Sequence, residues 1–168
     1  MNSTLLSNIF RFILLLTAQI VIFNNMTFLG FIIPLPYLLF IILYPVNGNR
    51  SGLILASFSL GLMMDIFLNS GGTHATACLI LAYIRPSIFK FSFGISYEYQ
   101  TIKLNDVLTP ERFSFILLSV IVHHFVLFLL EAFQISFFLD ILIRALLSAV
   151  FTIISCIIII YLIKPNKR

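Results

Sequence analysis

The sequence predicts an all-α membrane protein, and three observations carry that prediction. Hydrophobic residues make up 61% of the 168-residue chain, charged residues make up only 10%, and the mean hydropathy is +1.13. A water-soluble domain needs about a quarter of its residues charged to cover its surface. The apolar residues also form long uninterrupted blocks, where a soluble fold would show stripes. Most of the surface is therefore expected to face a lipid bilayer.

A helix that crosses the hydrocarbon core needs about 20 apolar residues. Six windows meet or approach this length and predict one domain, residues 1–168, built as a six-helix transmembrane bundle. The windows are 9–25, 29–46, 52–69, 73–90, 112–133 and 138–163, with a polar loop at about 91–111. The first is interpreted as a retained helix, because no small-residue cleavage site follows it. The second is the weakest, because Pro34 and Pro36 near its start predict a kinked or half-exposed beginning.

Turn residues separate the windows. Asn24 and Asn25 end the first helix, and a segment rich in Pro, Asn and Gly, residues 45–49, follows the second. Gly71-Gly72-Thr73 divides the third helix from the fourth, with Thr73 expected as the N-cap. Thr109-Pro110-Glu111 has the pattern of an N-cap, a proline at the first helical position and an acid in the first turn.

The basic residues predict the orientation. Arg11, Arg50, Arg85, Lys90, Lys103, Arg112, Lys164, Lys167 and Arg168 fall at one set of helix ends, whereas the opposite connections, 25–28, 70–72 and 134–137, carry none. Since cytoplasmic loops are enriched in Lys and Arg, both termini are predicted to be cytoplasmic. The net charge of +4 has this cause and does not indicate a nucleic-acid partner. The tyrosines at segment ends, Tyr37, Tyr44 and Tyr161, are expected in an interfacial aromatic belt.

Polar residues inside the third helix need an explanation, because an ionised side chain near the bilayer centre costs roughly 2.5–3.5 kcal/mol on insertion scales. Ser57, Gly61 and Asp65 are spaced four apart and share one helix face. Small residues at this spacing allow a second helix to approach closely. The spacing favours a packing face that buries Asp65. The alternative is a hydrated Asp65 that caps the outer end of the helix.

His74 opens the fourth helix at the same end as Asp65, so an Asp65–His74 hydrogen bond is expected across the glycine turn. Arg144 enters from the outer end of the sixth helix. It either joins Asp65 and His74, or pairs with Asp140 four residues before it, and the local pair is slightly favoured.

The fifth helix carries His123, His124 and Glu131. These residues fit a metal or proton site, a ligand pocket, or helix–helix hydrogen bonding. His124 and Glu131 are about 10 Å apart along a helix, which is too far for one metal ion, so the last explanation is favoured. Cys78 and Cys156, each within an apolar run, are interpreted as buried small hydrophobic residues. No catalytic motif is found, which predicts a non-enzymatic protein without a metal or other cofactor.

Two segments resemble a known family. Gly61 to Pro86 reads GLMMDIFLNSGGTHATACLILAYIRP, which resembles the signature of the rod shape-determining protein MreD family: Gly-Leu-x-x-Asp, a break, Gly-x-His-Ala and a helix that ends in Arg-Pro. The run from His123 to Phe133, HHFVLFLLEAF, is similar to the form in Bacteroidetes-type members. Together the two segments cover about a quarter of the chain.

The resemblance implies a non-enzymatic subunit of the cell-elongation machinery in the bacterial inner membrane. The implied partners are a membrane-anchored MreC-like protein and, directly or indirectly, MreB, RodA and penicillin-binding protein 2. The family is also similar in its six-helix architecture to the substrate-binding subunits of energy-coupling-factor vitamin transporters. The residues expected to hold the bundle together and shape a docking surface are Ser57, Gly61, Asp65, Gly72, His74, Ala75, Arg85, Pro86, His123, His124, Glu131 and Arg144.

Two other functions remain open. A vitamin-binding transporter subunit fits the polar residues at the outer end, although its usual Ala-x-x-x-Ala-like docking patch is missing from the first helix, which has only Ala18. An intramembrane enzyme or proton-coupled carrier that uses His123, His124 and Glu131 is the third hypothesis.

Overall fold

Five long helices dominate the computed structural model, which describes residues 3–28, 30, 32–94, 108–132 and 138–163; the side chains of residues 3, 4, 138 and 140 fall outside this description. They are α1 (Ser3–Val21), α3 (Arg50–Leu68), α4 (Thr73–Phe93), α5 (Pro110–Ala132) and α6 (Phe138–Ile163). Each contains a stretch long and apolar enough to cross a membrane. The chain is therefore all-helical in architecture and has the character of a multi-pass membrane protein, as the composition predicts.

The prediction of a continuous second helix over 29–46 is wrong. In its described residues, 30 and 32–46, this region contains one 3₁₀ turn, Pro36–Leu38, and one short helix, α2 (Leu39–Ile42). Pro34 and Pro36 lack backbone N–H groups and drive the preceding residues out of the helical region, so the helix cannot begin earlier. The expected irregular start is confirmed, because helical structure begins only at Pro36, and of the described residues before it Gly30 is exposed and Ile33 is half-buried. From Leu35 to Ile42 the side chains are buried in the bundle.

Residues 32–44, named here the broken crossing, run antiparallel to α1. The Gln19 side chain, near the end of α1, contacts Pro34 and Tyr37, whereas Arg11, two turns earlier, contacts Leu43. The segment therefore returns along the bundle to the end where α3 begins. Non-helical backbone is tolerated at membrane depth when protein, not lipid, surrounds it. Here α1, α3, α4 and α6 all pack against the segment.

The remaining helices pack in chain order, α3 against α4, α4 against α5 and α5 against α6. Asn49 caps α3, since its side chain accepts hydrogen bonds from the backbone N–H groups of Ser51 and Gly52. The predicted start of α5 is confirmed: the helix begins at Pro110, and the Thr109 hydroxyl accepts from the Arg112 N–H at 3.4 Å. Of the predicted 91–111 loop, residues 95–107 lie outside the described residues.

Burial confirms the interpretation of the two cysteines and corrects that of one tyrosine. Cys78 and Cys156 are buried free thiols. Tyr37 is 0% exposed in the centre of the bundle, so its predicted interfacial position is wrong. Its hydroxyl finds two hydrogen-bond partners there, and these remove the need for an interfacial position.

Candidate functional site

Gly61 brings α3 and α4 into close contact. A Cβ atom built on Gly61 would lie 2.5 Å from the carbonyl oxygen of His74 and 2.6 Å from Cα of Ala75. No side chain larger than hydrogen fits that space, because real Cβ contacts are longer. The predicted close approach of a second helix is confirmed, and that helix is α4 of the same chain. Gly61, Asp65, His74 and Ala75 are named here the α3–α4 junction.

Asp65 completes the junction by capping α4. It is 6% exposed, and its carboxylate accepts from the backbone N–H groups of His74 at 3.0 Å and Ala75 at 2.8 Å. The Ser70 hydroxyl donates to it as well, at 2.5 Å. A helix N-terminus carries free N–H groups and a partial positive charge, so a carboxylate there is doubly favourable. Asp65 is therefore buried against a helix, as the spacing favours, and is not a hydrated cap of its own helix.

The cap differs from the predicted one. Gly72, with φ of 98°, occupies the N-cap position of α4 and supplies no side chain. The expectation that Thr73 is the N-cap is wrong, because α4 already includes Thr73 and the Asp65 carboxylate binds the N–H groups that an N-cap would bind. Only glycine adopts such a φ without strain, which explains the Gly72 of the motif.

The Asp65–His74 hydrogen bond exists through the backbone and not through the imidazole. Among the described residues, the hydrogen bonds of Asp65 and His74 do not include Arg144, which is exposed on α6 and acts electrostatically on Glu131. The side chain of Asp140 lies outside the described residues, so the Asp140–Arg144 pair stays a prediction.

The His74 imidazole instead joins a second, central group, named here the Tyr37 cluster: Tyr37, His74, Cys78 and His123. The Tyr37 hydroxyl lies 2.9 Å from His74 Nδ1 and 2.9 Å from His123 Nε2. The Cys78 sulfur is 3.9 Å from the same hydroxyl. The cluster thereby connects the broken crossing to α4 and α5 through one oxygen atom.

His124 makes a parallel connection from α5 to α6. Its Nδ1 is 2.9 Å from the Val120 carbonyl oxygen, and its Nε2 is 3.0 Å from the Thr152 hydroxyl. That hydroxyl also accepts the backbone N–H of Leu35 at 2.9 Å. His124 therefore joins two helices by a hydrogen bond, as predicted, whereas His123 joins α5 to the broken crossing through Tyr37.

Arg85 and Arg11 stabilise the other end of the broken crossing. Arg85, 5% exposed, donates to the carbonyl oxygens of Ile42 and Tyr44, and Arg11 donates to that of Leu43 at 2.9 Å. Cations at a helix C-terminus satisfy carbonyls that have no helical donor and oppose the helix dipole. Pro86 lies inside α4, directly after Arg85, without ending the helix.

Ser57 and Glu131 do not join either group. Ser57 is fully buried, and its hydroxyl has no hydrogen-bond partner among the described residues. Glu131 is exposed and does not contact His123 or His124 by a hydrogen bond in the described part of the chain. It lines a cavity of about 640 Å³ together with Asn69, Ser70, Gly71, Gly72, Thr73, Thr76 and Leu130.

Three residues that hold the broken crossing were not predicted from the sequence as its contacts: Tyr37, Gln19 and Thr152. The Gln19 amide donates to the Pro34 carbonyl at 3.1 Å and accepts from the Tyr37 N–H at 3.3 Å. Gln19 and Thr152 are polar residues within apolar runs, and that signal identifies them as candidates for buried hydrogen bonds. Their partner segment has no such signal, because its polar groups belong to the backbone.

The arrangement is suited to holding helices together. Within the described ranges, no group of three or more His, Cys, Asp or Glu residues is placed to hold a metal ion. No family model, curated protein or solved structure matches the chain.

Proposed function

We propose that this protein is a non-enzymatic scaffold subunit of the cell-elongation machinery in the bacterial inner membrane, where it binds an MreC-like partner. One observation carries the proposal. Gly61, Asp65, His74 and Ala75, which resemble the MreD signature, contact one another in a single junction. A signature whose members meet at one structural unit is better explained by a shared fold than by coincidence of composition.

The aspartate and the histidines of the site, on α3, α4 and α5, are buried, and this limits how they can contribute to such a function. Asp65, His74, His123 and His124 are each at most 6% exposed, so they act on a partner only by shaping the bundle. A partner's transmembrane helix would contact the outward faces of the long helices instead. Both termini are proposed to be cytoplasmic, from the positions of the basic residues.

Depletion in a rod-shaped host tests the proposal. Cells that lose the protein are expected to round or swell and to stop lateral wall synthesis, as followed by microscopy and by incorporation of a fluorescent cell-wall precursor. Re-expression of the wild-type chain should restore both. Unchanged shape and unchanged wall insertion after depletion would contradict the proposal.

In-cell crosslinking then identifies the docking face. Cysteines are placed at outward positions of α3 (Leu55, Leu62) and α5 (Ile121, Leu129), with Cys78 and Cys156 replaced by alanine. Crosslinks to an MreC-like protein from one helix and not the other would assign the face. A matched cysteine at buried Leu60 is the control and should give none.

A second candidate function rests on the cavity beside Glu131. Its volume of about 640 Å³ lies in the range of small-molecule sites, and it opens at the α3–α4 turn. This favours a substrate-binding subunit of a vitamin-type transporter as the alternative. A purified sample that retains one vitamin per chain, detected by mass spectrometry, would support it. Loss of that vitamin from a Glu131→Gln variant would place it in this cavity.

A further inference from the structure

All three histidines of the chain are buried, and two chains of hydrogen bonds link them to the broken crossing. One runs through the Tyr37 hydroxyl and the other through the backbone N–H of Leu35. Because a neutral imidazole donates from one nitrogen and accepts at the other, the partners of each ring fix its tautomer.

His124 has one consistent arrangement. The Val120 carbonyl can only accept, so Nδ1 of His124 carries the hydrogen and Nε2 accepts. The Thr152 hydroxyl therefore donates to Nε2, and its oxygen accepts the Leu35 N–H. Every donor in this series of hydrogen bonds, from Leu35 through Thr152 to His124, has an acceptor when the His124 ring is neutral.

The hydrogen bonds of the Tyr37 cluster can run in two directions, and the burial of one ring nitrogen selects between them. The Nδ1 atom of His123 is buried without a partner among the described residues. If Nδ1 carried the hydrogen, a buried donor would be left unsatisfied, which is rarer and costlier than an unused acceptor. His123 therefore donates from Nε2 to the Tyr37 oxygen, and the Tyr37 hydroxyl donates to Nδ1 of His74. Adjacent His123 and His124 thus hold opposite tautomers.

We propose that these three neutral imidazoles form a pH-sensitive switch that holds the broken crossing and releases it when one of them takes up a proton. An imidazolium donates from both nitrogens. A proton on His74 makes Nδ1 and the Tyr37 hydroxyl two donors that face each other at 2.9 Å. The hydroxyl then has the Cys78 sulfur as its alternative acceptor, which is weak and 3.9 Å away. A proton on His124 opposes the Thr152 hydroxyl in the same way.

The charges around the switch are acidic. Asp65 on α3 and Glu131 on α5 both act electrostatically on Tyr37, and His123, His124 and His74 repel protons from one another once one of them is charged. Within α4 the other titratable neighbour is Cys78. The contacts from α1 and α6 come from Gln19 and Thr152, which are uncharged. Repulsion among the three imidazoles therefore favours the uptake of a single proton.

Nitrogen-15 NMR of the full chain tests the neutral state. The protein is labelled at histidine and placed in lipid nanodiscs, and the three imidazoles are assigned with single His→Gln variants. At pH 7.5 we expect Nε2–H on His74 and His123 and Nδ1–H on His124. The Tyr37→Phe variant should shift the His74 and His123 resonances, whereas Tyr83→Phe, an exposed control, should not. An imidazolium at pH 7.5, or the same tautomer on His123 and His124, would overturn the proposal.

Amide hydrogen exchange tests the release. Exchange is measured by mass spectrometry between pH 8 and pH 4 on peptides covering 32–44, and rates are corrected for intrinsic chemical exchange. By pH 4 we expect an imidazolium on at least one ring, and where NMR shows it, corrected exchange should rise about tenfold, the effect of losing one buried hydrogen bond. A titration to pH 4 that produces no imidazolium would refute the switch. Peptides from the middle of α3 serve as the internal control and should not change. Protection of 32–44 that persists after an imidazolium has formed would refute the switch, even if the tautomers are as assigned.

Discussion

The α3–α4 junction and the broken crossing achieve close packing in opposite ways. At the junction, Gly61 and Asp65 meet a helix that starts five residues after α3 ends. At the broken crossing, residues 32–44 form hydrogen bonds with residues of α1, α4, α5 and α6, up to 117 residues away in sequence. The junction concentrates its stabilising contacts in a few local residues. The crossing distributes them over distant ones.

This difference has a consequence for mutation. A contact made by one glycine against backbone has no room to relax, since the opposing atoms cannot move without moving α4. A network of several hydrogen bonds loses only one or two when a single side chain changes. Substitutions at the junction are therefore expected to be the most damaging, and substitutions around the crossing more moderate.

The largest effect is expected for Gly61→Leu. The new side chain overlaps the backbone of His74 and Ala75, and overpacking against backbone costs about 3 kcal/mol or more. We expect little folded protein in the membrane fraction, measured by size-exclusion chromatography of a fluorescent fusion. The matched control is Gly52→Ala on the same helix, where a Cβ meets only side-chain atoms at 3.4 Å and beyond. A stable Gly61→Leu variant would contradict the junction geometry.

Asp65→Ala should be the next most damaging change. It removes the acceptor of two backbone N–H groups and one hydroxyl, with an expected loss of about 2–3 kcal/mol. Thermal unfolding in detergent measures the effect. Asp65→Asn keeps one oxygen and should lose less, and Ser70→Ala removes a single bond and should lose least. Equal losses in all three variants would show that the cap does not depend on the carboxylate.

The same contrast explains how much the sequence could predict. The junction was predictable because its pattern, small residues four apart and then an acid, a glycine turn and a histidine, is local. The five long helices were predictable from hydropathy. The failure at 29–46 has a physical cause: length and apolarity do not distinguish a helix in lipid from a segment buried in protein. Tyr37 could not be placed for the same reason, since its partners come from two other helices.

Thr152→Val tests whether the crossing distributes its contacts. The variant removes the acceptor for the Leu35 N–H and the partner of His124, and we expect a loss of about 1–2 kcal/mol in the free energy of unfolding. Thr76→Val is the control and should cost less, because the Thr76 side chain is exposed and its hydroxyl donates to the Gly72 carbonyl of its own helix turn. A loss as large as that of Gly61→Leu would mean that this one residue, and not the network, holds the crossing.

Arg85→Lys is expected to have a smaller effect, about 1 kcal/mol. The guanidinium reaches two carbonyls at once and lies over the rings of Phe89 and Phe115, whereas an ammonium is a single point charge. The same change at Arg50, which is exposed and lies over Tyr83, should cost less. The difference between the two losses of stability, measured by denaturant or thermal unfolding, shows how much burial adds to the stabilising effect of the guanidinium. Equal losses in the two variants would show that Arg85 does not stabilise the broken crossing.

Glu131→Gln is expected to have the smallest effect on stability, below about 0.5 kcal/mol, because the side chain is exposed and joins neither region. The variant therefore separates folding from function. If it folds normally and fully complements cell shape, the cavity beside Glu131 has no part in wall elongation. If it folds normally and fails, the cavity binds something that the function needs, and the search for that ligand starts at Glu131. A large loss of stability would instead place Glu131 among the contacts that hold α5 against α6, where Arg144 is its electrostatic partner.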